Sequence, residues 1–123
     1  FVLVIGGKAV ETDKFFEVLN PADETVVAEC PEGTTDLVEL AVASARSAFP
    51  GWSATPDAER VEKLNAIADL VVENRQELSE LLTREQGKTQ SGPGANLELQ
   101  AVEGWLRATA GLTLPRQVIQ DDE

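Results

Sequence analysis

The chain contains no histidine, tyrosine or methionine, and Cys30 is its single cysteine. Without histidine there is no imidazole base, no Ser-His-Asp or Cys-His pair, and no zinc site built on imidazole. A lone thiol excludes an internal disulfide framework and a multi-thiolate metal site, and it fits a reducing cytoplasm. Positive charge is also scarce: 10 Lys and Arg stand against 22 Asp and Glu, a formal net charge of −12 spread along the chain. Such a surface repels phosphate backbones and anionic lipid, so neither nucleic acid nor membrane is an expected partner. No apolar run approaches the ~20 residues that span a bilayer. Phe1-Val2-Leu3-Val4-Ile5 has no basic flank and no small-residue cleavage site, so it does not read as a signal peptide. With no initiating methionine, the chain is expected to be an excerpt of a longer protein.

What remains is one domain's worth of sequence, 123 residues at 42% hydrophobic content, enough to bury roughly two-thirds of the unfolded surface. The first 30 residues have β character. Phe1–Ile5 and Ala9-Val10 flank Gly6-Gly7, a pair suited to a tight hairpin turn because both residues tolerate positive φ. A second hairpin is expected from Phe15–Leu19 and Thr25–Cys30 around Asn20-Pro21-Ala22-Asp23, where proline pre-sets one turn dihedral and asparagine bonds back to the backbone. Cys30 then closes a strand as a small apolar residue.

From Thr34 the period becomes helical. Thr34 or Thr35 caps a helix whose stripe is Val38, Ala41, Val42, Ala45 and Phe49, and Pro50-Gly51 is expected to end it. Thr55-Pro56 then offers a cap followed by proline at the first helical position, with Val61, Leu64, Ile67, Ala68 and Val71 inward. After a bend near Asn74-Arg75, a third helix carries Leu78, Leu81 and Leu82 and stops at Gly87, with Lys88 complementing its carbonyl end. Pro93 is expected to start a last helix with Leu97, Ala101, Trp105 and Ala108 on one face. Gln117 to Gln120 reads as the opening of a strand.

Two phosphate-binding patterns fail on inspection. Gly87-Lys88-Thr89 follows a helix rather than preceding one, and Leu82 occupies the position where the loop requires glycine. Gly92-Pro93-Gly94 has Leu97 where a dinucleotide fingerprint has its third glycine. The carboxylate pairs Glu73/Glu77 and Glu77/Glu80 read as a solvated helix face.

In sequence order, Ile5-Gly6-Gly7-Lys8, Phe16-Glu17-Val18-Leu19-Asn20-Pro21, Glu24-Thr25-Val26-Val27-Ala28-Glu29, Ala66-Ile67-Ala68-Asp69-Leu70, Leu81-Leu82-Thr83-Arg84-Glu85-Gln86-Gly87-Lys88 and Leu114-Pro115-Arg116-Gln117-Val118-Ile119 resemble the N-terminal portion of an aldehyde dehydrogenase. The resemblance implies an α/β parent with a Rossmann-type cofactor domain. Residues 1–113 would belong to that domain as two β-hairpins and about four helices, and residues 114–123 would begin an oligomerisation strand of a homo-oligomer. It implies aldehyde oxidation to a carboxylic acid with NAD or NADP: a cysteine attacks the carbonyl, an oxyanion hole holds the alkoxide, hydride leaves, and a glutamate activates water. None of those motifs has a counterpart here, and Cys30 is not the nucleophile, so the segment by itself is expected to be inactive. Two sites carry over. Backbone carbonyls of Val18 and Leu19 with the Glu85 side chain would hold a monovalent cation, Na⁺ or K⁺, the alternative being that Glu85 caps the helix end or pairs locally. Ala101 and Trp105 would line the substrate tunnel, the alternative for either alone being core packing. The competing reading is a non-catalytic acidic helical module that acts through partner binding.

Overall fold

The computed structural model describes residues 1–113 together with Pro115 and Ile119; the expected strand at Gln117 to Gln120 lies outside the described residues apart from Ile119. Two separate antiparallel hairpins precede four helices. Strand β1 (Leu3–Ile5) pairs with β2 (Lys8–Val10) through Gly6 and Gly7, whose φ angles of 59° and 76° are the left-handed values the turn demands. This turn lies on the first helix, since a Cβ at Gly6 would sit 2.9 Å from Ser44 Oγ.

Strand β3 (Phe15–Leu19) pairs with β4 (Val26–Pro31). Their turn is local side-chain chemistry. Asn20 Oδ1 accepts from the Ala22 N–H at 3.0 Å, and Asp23 Oδ1 accepts from the Thr25 N–H at 3.1 Å and the Thr25 hydroxyl at 2.7 Å. That clamp holds Glu24 at φ 60°, a position the sequence pattern did not reveal.

Helix α1 (Thr35–Ser53) is capped by Thr34, whose hydroxyl accepts from the Leu37 N–H. It does not stop at Pro50-Gly51 as expected. Hydroxyls of Ser53 and Thr55 donate to the carbonyls of Pro50 and Gly51, so the last turn is finished by side chains. Arg60 then takes the carbonyls of Ser53 and Thr55, each at 3.0 Å, with its guanidinium 5.6 Å from the centroid of Trp52. The expected inward stripe of α1 is uncovered: α1 has no buried residue, and Val38, Val42 and Phe49 are exposed.

Helix α2 (Asp57–Glu73) starts one residue later than the sequence suggests, with Pro56 in the cap position at an extended ψ of 145°. Ala68 is fully buried, Val61, Leu64 and Val71 are half-buried, and Ile67 faces outward. The bend at Asn74 is genuine, since both its N–H and its side-chain amide donate to the Leu70 carbonyl. Helix α3 (Arg75–Gln86) ends on Gly87 at φ 68°, with the Gly87 N–H bonded to the Thr83 carbonyl at 2.9 Å.

Helix α4 (Ala95–Ala110) begins after Gly94 rather than at Pro93. A Cβ on Gly94 would lie 1.7 Å from the Thr89 carbonyl oxygen, which accepts the Ala95 N–H, so only glycine allows this approach. Burial among the described residues centres on α2, α3 and α4: Ala68, Ser79, Ala95, Leu99 and Ala110. The face of α4 that carries Leu97, Ala101, Trp105 and Ala108 is turned outward, opposite to the expectation. The inward positions include Glu103, a charge that an apolar stripe cannot predict, and its neutralising partner Arg75 lies 28 residues away.

Candidate functional site

Two places gather the residues that the sequence singled out. The first lies where the β3–β4 hairpin meets the C-terminal end of α3. Gly87 turns the chain away in a left-handed conformation, and Pro21 fills the space beside it: a Cβ at Gly87 would be 2.7 Å from Pro21 Cγ. This contact docks the hairpin turn on the helix end. One consequence is a cavity of about 160 Å³ whose walls include Val18, Cys30, Leu81 and Glu85. Leu81 and Glu85 are one turn apart on α3 and share a face.

The strand register slips between Val18 and Leu19, because Val18 pairs with Ala28 and Leu19 with Val26, leaving Val27 opposite no residue. A bulge of this kind re-aims main-chain groups that a regular ladder would hold in plane. Val18 and Glu85 are therefore brought to one cavity, with Val18 half-buried and Glu85 exposed. Leu19 stands at the same bulge but does not line the cavity, and its side chain is 46% exposed. Nearby, the Thr25 hydroxyl and N–H hold the Asp23 carboxyl below the ordinary aspartate range, and the charge of Arg84 adds to this. Among the described residues no group of three or more His, Cys, Asp or Glu side chains could hold a metal, so any cation here would rest on main-chain oxygens and one carboxylate.

Cys30 is half-buried, unpaired and part of the same cavity wall, in keeping with a strand-closing apolar role. Lys88, expected at the helix dipole, instead makes an ion pair with Glu98 at the start of α4.

The second place is the outer surface of α4. Trp105 is 74% exposed and borders a shallow depression with Leu64, Val102, Leu106 and Thr109; Ala101 is exposed one turn earlier but does not border it. Behind Trp105, α4 is held by ionic contacts. Glu103 pairs with Arg75 of α3, its other oxygen accepts from Arg107 Nε at 3.1 Å, and Arg107 Nη2 reaches Asp69 of α2 at 2.8 Å. Bonding to Asp69 first, and then to Glu103, raises the affinity of Arg107 for its proton. Sequence patterning missed this chain of charges because its members come from three helices. Only the i, i+4 spacing of Glu103 and Arg107 was a local signal.

Comparison with known proteins bears on the whole arrangement. The Aldehyde dehydrogenase family model matches residues 8–118. A probable aldehyde dehydrogenase of a Pseudomonas species is 37% identical over 118 residues, covering 96% of this chain and 24% of the relative. The crystal structure of an NAD-dependent benzaldehyde dehydrogenase from Corynebacterium glutamicum superposes with a TM-score of 0.81 at 36% identity, over 87% of this chain and 24% of that one. Lactaldehyde dehydrogenase from Escherichia coli gives a TM-score of 0.89 at 29% identity, over 99% of this chain and 26% of that one. The chain thus spans about a quarter of the length of the relatives it matches. Since the motif order, the hairpin-and-helix arrangement and the aligned sequence agree across nearly every described residue, the chain belongs to the aldehyde dehydrogenase family.

Proposed function

We propose that the chain is the N-terminal portion of an enzyme that oxidises an aldehyde to a carboxylic acid with NAD⁺ or NADP⁺. The observation that carries this reading is the family match over residues 8–118 together with a shared fold at a TM-score of 0.89. Residues 1–113 are then part of the cofactor-binding domain, and residues 114–123 begin the strand through which a cytoplasmic homo-oligomer assembles. The described residues do not fit a nicotinamide cofactor: among them no strand leads through a glycine-rich turn into a helix. Cys30 sits at the end of a hairpin strand and is no nucleophile for the aldehyde. The segment supplies framework and channel wall, and the reacting groups belong to other parts of the protein.

Within that framework, Val18 at the bulge shares a cavity with Glu85, with Leu19 next to it in the chain, and this place suits a monovalent cation. Hard oxygen donors, two of them main-chain carbonyls, match Na⁺ or K⁺ rather than a thiophilic metal. Trp105 and Ala101 form an outward-facing surface that suits a wall of the aldehyde channel.

The test is an assay of the full gene product with a panel of aldehydes and each nicotinamide. The expected result is aldehyde-dependent nicotinamide reduction that survives Cys30→Ser, with none from the 123-residue segment alone. A full-length product that reduces neither cofactor with any aldehyde refutes the reading. For the cation, Glu85→Ala should erase most of the difference in melting temperature between K⁺ or Na⁺ buffers and a large organic cation. An unchanged difference returns Glu85 to ordinary helix-end duty.

A further inference from the structure

Trp105 and Glu103 lie on opposite sides of α4, and the depression that Trp105 borders runs between α4 and Leu64 of α2. At 3.6 residues per turn, Ala101 and Trp105 are each displaced by about 200° from Glu103, which lies midway between them in sequence. The outward surface is therefore placed by whatever fixes the rotation of α4 about its axis. Its buried apolar residues do this weakly: Ala95, Leu99 and Ala110 offer one large side chain between them. The facing side of α3 adds few polar anchors. Ser79 and Thr83, one and two turns beyond Arg75, have buried hydroxyls without a hydrogen-bond partner among the described residues. What α3 does supply is Arg75, whose guanidinium pairs with Glu103 at 31% and 26% side-chain exposure.

Glu103 also bonds Arg107 on the same helix, and Arg107 reaches Asp69 of α2, so this pair of side chains ties α4 to both neighbouring helices, Glu103 to α3 and Arg107 to α2. Ion pairs that are partly removed from water and shared among several partners hold geometry better than isolated surface pairs do. The pair between Lys88 and Glu98 anchors only the first turn of α4 and leaves the segment around Trp105 to the ion pairs of Glu103 with Arg75 and of Arg107 with Asp69.

We infer that Arg75 and Glu103 are positioning residues for the aldehyde channel: their ion pair sets the rotation of α4 and thereby the location of the wall made by Trp105 and Ala101. The inference rests on the reading of Trp105 as channel wall. A tilt of α4 would displace a bulky indole against a large aldehyde far more than against a small one. The signature is thus selective for substrate size and falls on KM, because neither residue touches the reacting carbonyl.

The experiment uses the full-length enzyme and compares acetaldehyde with benzaldehyde. Arg75→Gln should raise KM for benzaldehyde about tenfold, leaving kcat for both aldehydes and KM for acetaldehyde unchanged. Arg75→Lys, which retains the charge, should recover most of the benzaldehyde KM. Trp105→Ala should alter the benzaldehyde KM by itself, and Arg75→Gln should then add nothing further, since coupled residues are not additive. Should Arg75→Gln fail to fold, Glu103→Gln gives the same comparison. If the Arg75 and Glu103 variants lose only thermal stability, or shift both KM values equally, the positioning role is refuted while the channel reading stands. If Trp105→Ala leaves both KM values unchanged, the channel reading falls and the inference falls with it.

Discussion

Gly87→Ala is the substitution whose effect can best be worked out from the structure, because two separable penalties meet at one atom. The residue sits at φ 68°, where an added Cβ crowds the backbone and costs about 1–2 kcal/mol. The same Cβ would lie 2.7 Å from Pro21 Cγ, well inside van der Waals contact, and overpacking of this kind costs roughly 1–3 kcal/mol. Together the loss should be about 3 kcal/mol. The two parts come apart in a double-mutant cycle. Pro21→Ala removes Cγ and leaves Pro21 Cβ's position, at 3.6 Å from the new methyl, in ordinary contact. In the Pro21→Ala background, Gly87→Ala should therefore cost only the backbone part, about 1–2 kcal/mol. The assay is urea-induced unfolding of the full-length protein and its three variants, read as shifts in midpoint. Strictly additive shifts would show that the hairpin turn does not press on the helix end, and the account of how Val18 comes to face Glu85 would lose its basis. If the contact is as described, Gly87→Ala should also reduce the cation-specific part of the stability.

Gly94→Ala should be more damaging than Gly92→Ala: the former drives a methyl to 1.7 Å from the Thr89 carbonyl oxygen, whereas the latter meets open space and carries only backbone strain. Comparing the two melting temperatures checks this, and equal losses would contradict it. Asp23 has a folded-state pKa held below its unfolded value by Thr25. Its contribution is therefore present above the ordinary aspartate range and is lost as pH falls through the depressed value. The stability gap between the wild type and Asp23→Asn should accordingly close on acidification, whereas a gap that widened would reverse the sign. The isolated chain, which leaves Val38, Val42, Phe49 and Trp105 uncovered, should self-associate or fail to fold cooperatively. A cooperatively folding monomer in sedimentation at tens of micromolar, the order at which exposed apolar surface drives aggregation, would favour an autonomous module instead.

Features decided within a few residues were legible in the sequence. Gly6-Gly7 needs only its own dihedral freedom, Asn20 bonds two residues ahead, Thr34 caps the turn that follows it, and Gly87 takes the left-handed position. Pro50 misled because the termination of α1 was decided further along, by Ser53, Thr55 and Arg60. The facing of α1 and α4 misled for a different reason. An apolar stripe marks a surface that wants cover but not which neighbour supplies it, and on α4 the described core took the side bearing Glu103 once Arg75 had neutralised it. The convergence of Val18 and Glu85 on one cavity needed the Pro21–Gly87 contact, which joins residues far apart in sequence. Neither hydropathy nor spacing encodes that approach.

The absence of any buried residue in α1 also bears on the order in which the segment comes apart. Amide hydrogens in α2 and α4 lie behind the few buried side chains among the described residues, including Ala68 and Leu99, whereas α1 has no buried residue and is shielded mainly by its own helical bonds. Cooperative units of a protein open according to what packs on them. In deuterium exchange on the segment, α1 should lose protection together with the β1–β2 hairpin that rests on Ser44, ahead of a slower unit made of α2, α3 and α4. The segment then behaves as two bodies of unequal persistence, and the exposed side chains of Val38, Val42 and Phe49 belong to the one that opens first.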